Sequence, residues 1–219
     1  MSAGSKSRFS AVIEAWKQSL ERPAFRLEAA VTLVVFIGNL VVYPDFLNQI
    51  EQRPGVRFLD PLLDLIRPLD ASWITFIILY LSISSAVWFL LREPEQLMVG
   101  FQSYVVLFLF RAMALMMVPL EPPLKMIPLQ DPFVEFFGID GTLTRDLFFS
   151  GHTSLMFLLF LTARTTRLRR LYFSLTLVLA GCVIIQHVHY TFDVFVAPFV
   201  AYASVRLVRN AHRALGQSR

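Results

Sequence analysis

Two short stretches bring together the side chains that could move a proton or a phosphoryl group: LFFSGHTSL at 147–155 and HVHYTFDVF at 187–195. An imidazole can attack phosphorus itself and split one difficult displacement into two easier ones. Asp193 follows His189 by four residues, so on a helix it sits one turn away on the same face. There it can accept from one ring nitrogen and leave the other with a free lone pair. His152 can protonate a departing alkoxide and later take the proton from an acceptor hydroxyl. Ser150, Gly151 and the free amides that begin the next helix can hold phosphate oxygens. Gly151 lets backbone come close.

Elements of membrane length must carry these residues. Hydrophobic residues are 56% of the 219-residue chain, charged residues 16%, and phenylalanine alone accounts for 21 positions. Mean hydropathy is +0.59, whereas a soluble domain carries about 25% charge. Runs of roughly 20 apolar residues predict six spans, near 28–44, 72–91, 97–119, 149–163, 171–188 and 190–208. The fourth is short unless its motif residues belong to the helix. Residues 9–21 can form an amphipathic helix with Phe9, Val12, Ile13 and Trp16 on one face, lying flat on the membrane or simply solvated. The fold class expected is all-α, a polytopic membrane protein with six transmembrane helices. Its organisation would be an amphipathic N-terminal segment 1–26, a catalytic membrane domain 27–210 and a tail 211–219. The polar, basic first 26 residues do not read as a cleavable signal peptide. The single cysteine, Cys182, excludes a disulfide framework.

Lysine and arginine placement sets the expected orientation. With the N-terminus in the cytoplasm, the inner segments hold Lys17, Arg22, Arg92, Arg164, Arg170 and Arg213 among others. The outer loops hold only Arg53, Arg57, Arg67, Lys125 and Arg145. This bias favours N-in, C-in and accounts for the net charge of +4 without nucleic acid as a partner. His152 and His189 are then separated by one crossing down and one back, so both return to the outer boundary. Ionisable groups in membrane spans are expensive and read as functional by default.

The two stretches resemble the C-terminal core of the type 2 phosphatidic acid phosphatase superfamily, and more closely its sphingomyelin synthase branch. Asp146-Leu-Phe-Phe-Ser150-Gly151-His152-Thr153 is similar to the branch's Asp-x-x-x-Ser-Gly-His-Thr motif. His187-Val-His189-Tyr190-Thr191-Phe-Asp193-Val194 is similar to its second motif, His-x-His-Tyr-Ser/Thr-x-Asp-Val. Residues 144–208 carry the likeness; RAMALMMVPLEPP at 111–123 and RPLD at 67–70 resemble further motifs loosely. The resemblance implies that His152, His189 and Asp193 form a catalytic triad that needs no metal or other cofactor. The Lys-x6-Arg-Pro motif of the phosphatase branch is absent, and Val183 stands where that branch has an arginine six residues before the second histidine. A phosphodiester carries less charge than a phosphomonoester and needs those clamps less.

The expected reaction is therefore transfer of a phosphocholine or phosphoethanolamine head group from a glycerophospholipid donor to a lipid alcohol, ceramide or diacylglycerol. The alternative is a lipid phosphate phosphatase or phospholipase C-like hydrolase using the same residues with water. The expected location is a bacterial inner membrane with the site on the periplasmic face; assembly into a homo-oligomer is left open. Asp146, Arg111, Tyr190 and His187 complete the candidate substrate-binding set. Arg111 lies within an apolar span and needs a carboxylate or a substrate phosphate, with Glu121 as one candidate partner. Asp146 fits a helix cap as well as a site residue, and His187 fits an interface as well as a supporting role. The His-x-His spacing resembles metal-ligand spacing, but no cysteine or third histidine supports it. Loop 120–146, rich in Pro and Phe, is placed to form a lid.

Overall fold

The computed structural model describes residues 3–129 and 143–214, with side chains from Ser10 onward. Residues 130–142 of the proposed lid, and the end of the tail, therefore lie outside the described residues, as does the Phe9 side chain. Eight helices are described: α1 Ala3–Glu21, α2 Pro23–Glu51, α3 Pro61–Leu65, α4 Ser72–Leu90, α5 Pro94–Met117, α6 Gly151–Thr162, α7 Thr166–Ile185 and α8 Thr191–Ala214. Prolines at the first turns of α2, α3 and α5 start these helices where a missing N–H has no consequence. Among the described residues no strand forms, only an isolated parallel bridge between Val56 and Leu120.

Five helices, α2, α4, α5, α7 and α8, are long and apolar enough to cross a membrane, which marks the chain as an integral membrane protein. The expected fourth span is different. Gly151–Thr162 has 12 residues and rises about 18 Å, against a hydrocarbon core of about 30 Å. It is packed against α7 and α8 and also touches α4 and α5, so its neighbours bury it. Leu147, Phe149 and Ser150 are buried as well. The non-helical segment that enters α6 therefore runs inside the bundle, where its polar backbone meets protein instead of lipid.

α8 shows how one sequence serves two environments. Asp193, Ala197, Ala201, Ser204 and Val208 recur at helical spacing and are buried, while Phe192, Phe195, Phe199 and Tyr202 on the other face are exposed. Small residues on the buried face let α5 and α6 approach closely. The aromatic face fits a lipid surface. At the other end of the bundle, Trp16 of α1 donates its indole N–H to the Leu91 carbonyl at 2.7 Å. Trp16 packs with Phe25, Leu90 and Met98, so one residue of the expected amphipathic face holds α1 against the bundle, while Ile13 is exposed.

Candidate active site

The start of α6 is built by a cap. Ser150 accepts the Thr153 N–H and donates its hydroxyl to Thr153 Oγ1 at 3.1 Å. This is the ordinary N-cap role of serine, and it commits the Ser150 side chain. The backbone N–H of Ser150 donates to the Asp193 carbonyl at 3.2 Å, so the first turns of α6 and α8 are joined directly. That joint brings the two sequence stretches together. The His152 and His189 rings meet edge to face, with centroids 6.3 Å and planes 61° apart, and the Phe76 ring stands 6.5 Å from His152.

His189 differs from the sequence expectation in one respect. It does not begin a helix: α8 starts at Thr191, and His189 lies in the turn before it. The i+4 pairing with Asp193 survives because the turn folds back. His189 Nδ1 stands 3.6 Å from Asp193 Oδ2, and the same oxygen accepts the Tyr190 N–H at 2.9 Å. Both side chains are almost fully buried. The turn itself is anchored from outside. Asp60 accepts the Thr191 N–H at 2.7 Å and the Thr191 hydroxyl at 3.0 Å, which caps α8 across 131 residues of sequence.

α7 ends in a Schellman motif. The Val188 N–H donates to the Val183 carbonyl and the His187 N–H to the Ile184 carbonyl. The residue at the centre of such a motif takes a left-handed conformation, usually as glycine; here it is His187, with φ +58°. The His187 side chain is buried. Gln186 beside it accepts the Ala71 N–H at 3.1 Å and donates to Ser72 Oγ at 2.8 Å, which locks the end of α7 to the start of α4.

Arg111 corrects a second expectation. Its partner is Asp146, not Glu121. Nη2 donates to Asp146 Oδ1 at 2.7 Å and to the Asp146 carbonyl at 3.1 Å. Glu121 pairs with Arg145 instead, at 3.0 Å. The guanidinium lies across the first turn of α6, where a Cβ on Gly151 would come 3.1 Å from Arg111 Cζ. Gly151 thus provides the close approach expected of it, to an arginine. Tyr190 is buried and directed into the scaffold: its hydroxyl donates to the Glu121 carbonyl at 2.8 Å and accepts the Phe58 N–H.

Sequence reasoning missed the residues that hold the segment leading into α6. Glu51 accepts the backbone N–H groups of Thr144 and Arg145 at 2.9 and 2.8 Å, and also the Thr144 hydroxyl. Glu121 accepts the Gly55 N–H at 3.1 Å, and this bond, with Arg145, holds its carboxyl below the usual carboxylate range. Asp60-Pro61 is a legible cap signature, but nothing local says that it also caps α8.

Buried side-chain nitrogens and oxygens are normally satisfied. Arg111 Nη1, His187 Nε2, His189 Nδ1 and Asp193 Oδ1 are buried without a hydrogen-bond partner, as are the hydroxyls of Tyr43, Thr75, Ser82 and Ser103 elsewhere in the bundle. Among the described residues no group of three or more His, Cys, Asp or Glu is placed to hold a metal ion.

Residues 145–211 match the family model described as PAP2 superfamily C-terminal. The match covers α6, α7 and most of α8, and with them His152, His187, His189 and Asp193. The match spans less than a third of the 219-residue chain and is a likeness over that segment. No curated protein matches the chain.

Proposed function

We propose that this chain, which resembles the PAP2 superfamily over residues 145–211, is a membrane lipid phosphotransferase that moves a phosphocholine or phosphoethanolamine head group from a glycerophospholipid to ceramide or diacylglycerol. The observation that carries the reading is the adjacent pair His152 and His189, with ring centroids 6.3 Å apart and Asp193 at 3.6 Å from His189 Nδ1. In the reacting complex His189 Nδ1 closes the 3.6 Å gap and donates to Asp193 Oδ2, so Nε2 of His189 attacks phosphorus. The phosphorus–oxygen bond to diacylglycerol breaks as His152 gives its proton to the departing oxygen. His152, now neutral, takes the proton of the acceptor hydroxyl. The resulting oxygen attacks phosphorus and displaces His189, which restores both histidines.

In this reading Arg111 Nη1, buried without a hydrogen-bond partner, takes a non-bridging phosphate oxygen while Asp146 holds Nη2. A phosphodiester offers one negative charge, which one such arginine matches. Val183, at the position of the phosphatase branch's arginine, is buried in an apolar cluster with Leu79, Met156 and Leu179. That favours a phosphodiester donor over a dianionic phosphomonoester. His187 supports the site from the end of α7. α6 completes six crossings, with both termini in the cytoplasm and the site on the periplasmic side of a bacterial inner membrane, where both lipids enter laterally.

The test is product analysis. Purified protein in mixed micelles receives fluorescent ceramide or diacylglycerol with phosphatidylcholine or phosphatidylethanolamine as donor. A new head-group lipid formed by wild type, and absent with His152→Ala and His189→Ala, is the expected result. Release of phosphocholine, phosphoethanolamine or phosphate without transfer would replace the reading by hydrolysis at the same residues.

A further inference from the structure

A cavity of about 1080 Å³ opens at the other end of the bundle. It is bounded by the second half of α1, the start of α2, the α4–α5 turn and the ends of α6 and α8. Arg209 on its wall is 16 residues along α8 from Asp193, about 24 Å away, so the cavity is separate from the histidine site. Because α1, the start of α2 and the end of α8 all border it, both ends of the described chain lie on this side.

The cavity has an uncompensated positive charge. Arg22, Arg92, Arg164, Arg209 and Arg213 line it. Its carboxylates are already engaged: Glu95 by Arg22 at 2.7 Å, Glu93 by Arg164 at 2.8 Å, and Glu28 by His212 at 3.3 Å and Gln102 at 2.8 Å. Among the described residues Arg92, Arg209 and Arg213 have no carboxylate partner. Arg92 stands over the Phe89 ring and Arg209 donates to the Leu161 carbonyl. Arg164, Arg169, Arg206 and Arg213 all lie near enough to Arg209 to repel it. Like charges gathered in a concave space focus a positive potential and attract an anion.

The rest of the wall says which anion. Phe25 and Val99 are apolar wall residues and are buried. The cavity lies where α2, α5 and α8, three helices of membrane-crossing length, end. We propose that it holds the phosphate head group of an anionic phospholipid from the leaflet on the side of the chain termini. The arginines take the phosphate, and the glycerol and the first acyl carbons lie along Phe25 and Val99. Basic pockets between membrane helices recognise anionic head groups in this way. This inference is independent of the catalytic reading.

Native mass spectrometry of the full chain in mild detergent tests it, with phosphatidylglycerol and phosphatidylcholine of identical acyl chains as probes. Wild type should retain phosphatidylglycerol in preference. Arg92→Gln/Arg213→Gln should weaken that retention on the order of tenfold, while Arg92→Lys/Arg213→Lys keeps most of it. Arg67→Gln/Lys125→Gln removes the same charge from exposed positions outside the cavity and should change nothing. Equal retention by the cavity double variant and the control would overturn the proposal. Displacement of the lipid by millimolar inorganic phosphate alone would also overturn it and assign the cavity to a free anion.

Discussion

Asp193 Oδ2 accepts the Tyr190 N–H and stands 3.6 Å from His189 Nδ1. A neutral amide at this position keeps the shape but loses the charge that stabilises an imidazolium and selects the tautomer. Asp193→Asn should therefore leave thermal unfolding close to wild type and lower kcat by about a hundredfold or more; unchanged kcat would limit Asp193 to capping the turn. Glu121 gives a second prediction at this scale. Its carboxyl is held low by the Gly55 N–H and by Arg145. A depressed folded-state value contributes stability that is present above the unfolded value and disappears as pH falls through the folded one. Wild type should unfold at a higher temperature than Glu121→Gln at neutral pH, and the gap should close in the acid range below about pH 4. A gap that does not change with pH would contradict the assignment.

Turns, more than helices, set the geometry of the site. His152, His189 and Asp193 could be picked out as candidates because two imidazoles and a carboxylate in apolar surroundings have few bland explanations, and the structure brings them together. The conformation of His189 was not legible, because nothing in the sequence shows the Schellman ending at Val188. The pairing of Arg111 was equally hidden. Glu121 is closer in sequence and Asp146 closer in space, and only the buried path of residues 147–150 decides between them. Two predictions belong here. Asp60→Ala removes the cap on α8 and should lower stability by about 1 kcal/mol, with a fall in kcat as the turn loosens; differential unfolding beside turnover measures both. His187 occupies a left-handed position that costs a non-glycine residue about 1 kcal/mol. His187→Asn and His187→Gly suit that backbone and should keep stability near wild type while turnover falls. Full activity in both would make His187 a structural residue only.

At the scale of the molecule, the composition made the membrane class plain, and the apolar runs fell on five long helices, although the helices extend up to seven residues beyond them. The fourth run became the shorter α6, whose 12 residues pack against four neighbouring helices and leave none exposed. The two ends of the bundle are then chemically distinct: one gathers the unsatisfied groups of the two motifs, the other an unbalanced set of arginines. Orientation in the membrane is tested in a Cys182→Ser background. Arg213→Cys should react with an impermeant maleimide only in inverted vesicles, and Lys125→Cys in right-side-out ones. The opposite pattern would put the histidines on the cytoplasmic side.

The most direct measurement is capture of the intermediate. Wild type is mixed with head-group-labelled phosphatidylcholine or phosphatidylethanolamine, quenched in alkali within the first turnover, digested, and sequenced by mass spectrometry. The mechanism predicts the labelled phosphoryl group on His189, absent in His189→Ala. It predicts no adduct on His152. Label on another residue, or turnover retained by His189→Ala, would contradict nucleophilic attack by His189.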